Sequence, residues 1–206
     1  MIPFGLIPAG ESPVDLAWVT FANASANSLT LPSAIQPGDF LFWFGRGWNN
    51  SGTPAAITPD GFTLVTNYTQ SVGRVITAWK IAGASDPGRT VTGVSGTFRV
   101  DNIVGVLRPN RSIKSVTLVA QSVSLVEAAT ASTAGISKTG LVLAGGAHGG
   151  QSPNLTLTPD NDLIAGSGRS QIGFRVLPPG TAGASYSAQV SQASSSARAL
   201  NIFDLD

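Results

Sequence analysis

The chain has 206 residues, no cysteine, a formal net charge of +1 and a charged fraction of 11%, against about 25% in an ordinary globular domain. A length of this order holds one large all-β domain or two small ones. The missing cysteines exclude a disulfide framework and a thiolate metal site. With so little charge, copies of the chain barely repel one another, which favours life in an assembly. The twelve Lys and Arg are scattered, and the densest stretch, Arg108 to Lys114, has no interleaved aromatic, so no nucleic-acid footprint is present. No apolar run approaches the roughly 18 residues of a membrane helix.

Residues 1–15 form an N-terminal arm in this reading. Its apolar residues Ile2, Phe4, Leu6 and Ile7 are interrupted by Pro3 and Pro8, and without a basic n-region they make a poor secretory leader. A solvated tail would be more polar, so the arm lies either on its own domain or on a neighbouring subunit.

From Leu16 the pattern is strand, turn, strand. Leu16–Ala22 alternates, and Ser28-Leu29-Thr30-Leu31 alternates and stops at Pro32, as a strand edge does. Pro37-Gly38 marks a turn. Behind it comes Phe40-Leu41-Phe42-Trp43-Phe44, five apolar residues of which four are aromatic. In an extended chain Phe40, Phe42 and Phe44 point one way and Leu41 and Trp43 the other, so the strand is buried on both faces. Gly45 and Gly47 read as its end, and Gly45–Ala56 as a long polar loop. Pro59-Asp60-Gly61 turns the chain into Phe62–Val65. Arg74–Ala82 sets Val75, Thr77, Trp79 and Ile81 on the core side; a turn at Asp86-Pro87-Gly88, a short strand Thr90–Thr92 and a longer one from Phe98 to Leu107 follow. No helical period appears.

The second half echoes the first. One hundred residues on and without a gap, Leu41 meets Leu141, Gly45 meets Gly145, Thr58-Pro59-Asp60 meets Thr158-Pro159-Asp160, and Trp18-Val19 meets Leu118-Val119. Such a spacing is too long for a solenoid repeat. It points to a duplicated half-domain or to two tandem sandwiches, and the first is favoured. The second copy has Leu141-Val142-Leu143-Ala144 where the first has aromatics, and large residues facing small ones fill the space between two layers. The expected fold is all-β: one antiparallel, jelly-roll-like β-sandwich over 16–206, made of pseudo-repeated halves 16–108 and 115–206. The stretches Val126–Ala134 and Ala182–Ala199 are read as strands within it. A sandwich has one inner side per sheet, so Leu41 and Trp43 need an outside cover. The arm or a neighbouring subunit is the natural candidate, which makes Ile2, Phe4, Leu6, Ile7, Leu41 and Trp43 candidate assembly contacts.

Catalytic patterns are sparse. Glutamate occurs only at Glu11 and Glu127, and most aspartates sit in turn contexts, where the short side chain bonds the local backbone. No spacing suggests a glycosidase carboxyl pair. The single histidine, His148, lies in a glycine cluster with no Gly-x-Ser-x-Gly elbow in the chain; the repeat sets it in the place of Trp48, as a loop-tip residue. That cluster lacks the Lys-Ser/Thr of a phosphate loop. Asp160 and Asp162 offer a weak calcium pattern that an Asx turn explains as well. No enzyme activity and no cofactor are expected. The best surface candidate is Trp48 with Arg46, Asn49 and Asn50: an exposed aromatic beside guanidinium and amide groups stacks on a sugar and bonds its hydroxyls. A Trp folded over the core edge or buried against another copy is the alternative.

The succession Ser28-Leu-Thr-Leu-Pro32, Pro37-Gly38-Asp39, Pro59-Asp-Gly-Phe-Thr-Leu64, Trp79-Lys-Ile-Ala82, Asp86-Pro87 and Thr90-Val-Thr92 resembles β-sandwich structural proteins of tailed bacteriophages, found among tail-fibre, appendage and virion-surface proteins. It covers residues 16–108 directly, with Phe62 where similar proteins often have Trp. The resemblance implies a non-enzymatic structural protein on the exterior of a phage particle, capsid decoration or tail-associated, forming homo-oligomers and contacting other virion proteins. It brings no catalytic residues. A glycan-binding adhesin module of a fibre or a bacterial surface is the other expectation.

Overall fold

The computed structural model describes residues 12–125, 128–149, 153–159, 163–191 and 196–206. Among them are fifteen strands and no helix: β1 Leu16–Ala24, β2 Ser28–Thr30, β3 Phe40–Trp48, β4 Thr63–Gln70, β5 Gly73–Ile81, β6 Thr90–Thr92, β7 Arg99–Pro109, β8 Val116–Ser124, β9 Ala129–Ser132, β10 Thr139–His148, β11 Thr156–Thr158, β12 Leu163–Ser167, β13 Ser170–Leu177, β14 Ser185–Gln189 and β15 Ser196–Leu205. The fold is an all-β antiparallel sandwich.

Two five-stranded sheets face each other, one in the order β1-β7-β3-β5-β4 and the other β12-β13-β10-β15-β8. The first comes wholly from the front half of the chain and the second from the back. In the front half the pairings nest, β1 with β7, β2 with β6 and β3 with β5, around β4 at the tip. The back half nests β8 with β15, β9 with β14 and β10 with β13 around β12, and adds β11 beside β14. Each half is therefore a long hairpin rolled on itself, the jelly-roll manner of wrapping. Both large sheets also carry a bulge in their first strand, at Val19 and at Val119, where one residue has no opposite number.

The sheets stack so that β1 lies by β12, β7 by β13, β3 by β10, β5 by β15 and β4 by β8. That order is the one a two-fold axis through β3 and β10 would generate. Between them lies the central core, with Phe40, Phe42, Phe44, Val75, Ile103 and Leu107 on one side and Leu141, Leu143, Ile172, Phe174 and Phe203 on the other. Large does face small here. A Cβ on Gly145 would stand 2.3 Å from the Phe44 ring, and one on Gly105 would stand 2.2 Å from Ile172.

The expected single core becomes three. Leu41 and Trp43 are fully buried, but within their own chain: Leu29, Leu31, Ile35, Phe62, Val91 and Val94 close over them, with the small sheet β2-β6 as the lid. The Phe62 ring meets the Trp43 indole edge-on at 5.7 Å. The indole N–H donates to Asn102 Oδ1 at 3.2 Å. These two residues are thus not assembly contacts, because segments of a few residues that alternate too briefly to show a period supply the cover. The back half has a matching lid, β11-β14-β9, over Val142, Ala144, Leu200 and Ile202. Ile2, Phe4, Leu6 and Ile7 lie outside the described residues, whereas Val14, the apolar residue near the arm's end, is buried in the central core.

The gapless hundred-residue register fails in the central strands. Leu41 packs under its lid while Leu141 faces the central core. Counted from the β4–β5 and β12–β13 turns, Trp48 opposes Gly73 and Ala147 opposes Ser170, which pairs Phe42 with Leu141. In a strand a one-residue slip reverses every face.

Turn chemistry follows the sequence. Asp39 N–H donates to Gln36 O at 3.1 Å, with Gly38 at φ +93° in the third position, as a type II turn requires. The Asp86 carboxylate takes the Gly83 N–H and Lys80 Nζ, both at 2.7 Å, and lies 3.6 Å from Arg89 Nε. The connector between halves is pinned as well. The Lys114 and Ser115 amides donate to Asp206 O, and Arg111 Nε donates to Ser12 O at 2.9 Å.

Candidate functional site

Arg46, Trp48, Asn49 and Asn50 do not gather into one surface. The aromatic strand continues through both glycines to Trp48. Gly45 and Gly47 are places of close approach: a Cβ on Gly45 would lie 2.7 Å from Asn102 Oδ1, and one on Gly47 would lie 2.5 Å from Ser95 O. Arg46 is therefore a strand residue on the inner face, and it is fully buried. Its Nη2 lies 3.0 Å from Asp101 Oδ2 on the paired strand β7, so it is no surface contact. Trp48 folds over the core edge. It packs against the central core, and its ring sits close to the Gly73 backbone, where a Cβ would come within 2.9 Å. Asn49 Oδ1 accepts from the Thr97 N–H at 2.8 Å and its hydroxyl at 3.2 Å. Asn50 alone is exposed. His148 is the last residue of β10, only 8% exposed, with its N–H donating to Arg169 O; it is a strand-end residue and not a loop tip. Asp160 and Asp162 lie outside the described residues.

What the structure does bring together is a set of arginines around Asp101. The carboxylate is buried at the end of the central core. Arg46 contacts one of its oxygens; Arg169 Nε, from the β12–β13 turn of the other half, lies 3.1 Å from Oδ1. The Ser25 hydroxyl donates to the same oxygen at 3.2 Å. Arg169 Nη2 also donates to Val100 O at 3.4 Å. The cluster thus ties the two halves together. Burial lowers the Arg46 guanidinium to about 10, with Asp101 opposing that shift and the charges of Arg169 and Arg99 adding to it. Burial pushes the Asp101 carboxyl upward, against the pull of Arg46, Arg169, Ser25 and Arg99.

Above this cluster opens a groove of about 360 Å³, lined by Ser25, Asn27, Thr97, Phe98, Arg99 and Arg169. The Arg99 guanidinium lies 4.8 Å from the centroid of the Phe98 ring, and Phe98 is 51% exposed. In the sequence this site shows only as separate arginines. The pairing of β3 with β7 and the meeting of the two halves bring them together, and no spacing announces either. Among the described residues no three His, Asp or Glu side chains gather as metal ligands.

Fold and groove together define an antiparallel sandwich with a cationic, aromatic-edged end. Comparison with protein-family models, curated proteins and solved structures finds no match for this chain.

Proposed function

We propose that the chain is a non-enzymatic structural protein, one copy among several on the exterior of a tailed-phage particle, joined to its neighbours along the flanks of the sandwich. The observation that carries the assembly reading is the character of the sheet edges. The outermost strands of the two large sheets are β1, β4, β8 and β12. None contains Lys, Arg, Asp, Glu or Pro. Proteins that stay apart usually guard such edges with charge or proline, because an open edge pairs with another chain. Bulges in β1, β4 and β8 are the protection present, and they direct the contact to side chains. On the flank where β4 lies beside β8, Leu64 is 40% exposed and Leu118 is 41% exposed. The phage setting rests on the resemblance of the turn and core motifs and on the low charge.

Sedimentation velocity over a range of concentrations tests the assembly reading. Self-association is expected, weakened in Leu118→Lys and in Leu64→Lys. A monomer at about 100 μM, where a Kd near 10 μM would already populate a dimer, sinks it. Mass spectrometry of purified particles tests the setting, which fails if the chain is absent from them.

A further inference from the structure

Among the described residues, the end groove and the cluster beneath it gather more guanidinium groups than carboxylates. There, three guanidinium groups, from Arg46, Arg99 and Arg169, stand around the carboxylate of Asp101. Arg46 is fully buried against Asp101, so that pair is taken up internally and the positive charge facing the groove belongs to Arg99 and Arg169. Arg169 is held by Asp101 and Val100 O, yet its side chain stays 27% exposed to the groove. Arg99 is steadied by the Phe98 ring, so the cationic heads are in place before any ligand arrives, which lowers the ordering cost of binding. Beside them stand the Ser25 and Thr97 hydroxyls, the Asn27 amide and the exposed Phe98 ring. A guanidinium favours a planar carboxylate, and a ring edge beside hydroxyls and an amide suits the mixed apolar and polar surface of a sugar.

We propose that this groove binds an acidic saccharide, its carboxylate held by Arg99 and Arg169 and its ring lying beside Phe98. The site differs from the Trp48 surface expected from sequence, and it does not rest on the assembly reading: binding is measured on whatever oligomer the chain forms.

Titration calorimetry and amide NMR shifts with glucuronate, glucose and inorganic phosphate as probes test it at low salt. Glucuronate is expected to saturate and to move the Phe98 and Arg99 signals, while glucose does not bind. Arg99→Gln, outside the buried pair, lowers glucuronate affinity by about tenfold or more, the usual effect of losing a charge-assisted bond. Phe98→Ala, at an exposed position, weakens glucuronate more than phosphate, because both lose the steadied Arg99 and the sugar also loses its ring contact. Absent glucuronate saturation, glucose binding equally well, or an Arg99→Gln variant with full affinity would each overturn the site. Phosphate binding without glucuronate would overturn the saccharide.

Discussion

Replacing Gly145 by Ala asks whether the two halves are held by close packing at their centre. Where space is open, Gly to Ala in a strand gains about 0.5–1 kcal/mol from the stiffer unfolded chain and the lost glycine penalty. Here the new Cβ would stand 2.3 Å from Phe44 Cδ2, 2.4 Å from Cγ and 2.8 Å from Cβ. Carbon atoms rest at about 3.5–4.0 Å, so the ring or the sheets must move by more than an ångström. The Phe44 ring is fully buried, and its strand is bonded on both sides, to β5 and β7. Overpacking of this kind costs about 1–3 kcal/mol, which outweighs the propensity gain. In a chain of this size that corresponds to a fall in Tm of roughly 2–12 °C. Urea unfolding of wild type, Gly145→Ala, Phe44→Ala and the double variant reads the coupling. Phe44→Ala alone should cost about 3–5 kcal/mol, and the double variant should recover at least about 1 kcal/mol relative to the sum. A Gly145→Ala variant as stable as wild type, or strictly additive effects, would refute the packing argument.

Three further outcomes follow from other sites. Trp43→Phe keeps the apolar plug but leaves Asn102 Oδ1 without the indole donor, which should cost about 1–3 kcal/mol in denaturant unfolding; because the lid comes from the same chain, the sedimentation profile should not change. Asp101→Asn removes the carboxylate that lies 3.0 Å from the fully buried Arg46, and stability should fall by about 3–5 kcal/mol; a loss below about 1 kcal/mol would show that the cluster does not tie the halves. At Asp86 burial pushes upward, but the Lys80 and Gly83 hydrogen bonds and the charges of Lys80 and Arg89 outweigh it and hold the carboxyl below its ordinary value. Its contribution is therefore complete above about pH 4, the unfolded value, and fades as pH falls through the lower folded one. The stability gap between wild type and Asp86→Asn should close on acidification, and a gap constant down to about pH 3 would contradict the assignment.

The sequence made the strands legible where alternation ran long enough. Val75, Thr77, Trp79 and Ile81 do point to the central core. The aromatic stretch is indeed buried on both faces, and the Pro37-Gly38 and Asp86-Pro87 turns fall where read. The lids were not legible as lids. Leu29 and Val91 each sit in strands of three residues, and three residues reveal neither a period nor the sheet they will cover. The end of the aromatic strand was misplaced for a related reason. Gly45 and Gly47 read as breakers, whereas close neighbours in space demand their missing side chains. That error turned Arg46 from an inner-face residue into a surface candidate. The arginine groove needed pairings across both halves, which only the fold supplies.

The contact of Phe44 with Gly145 also determines what each half recognises. By the register that sets Phe42 with Leu141, the counterpart of Phe44 is Leu143 and that of Gly145 is Arg46, so this contact is made once and has no mirror elsewhere in the stack. In this chain the axis is broken on purpose at one point, with a protrusion on one half and a recess on the other. The recess at Gly145 therefore admits the Phe44 ring and nothing bulkier on its own side, which fixes how the two sheets sit on each other.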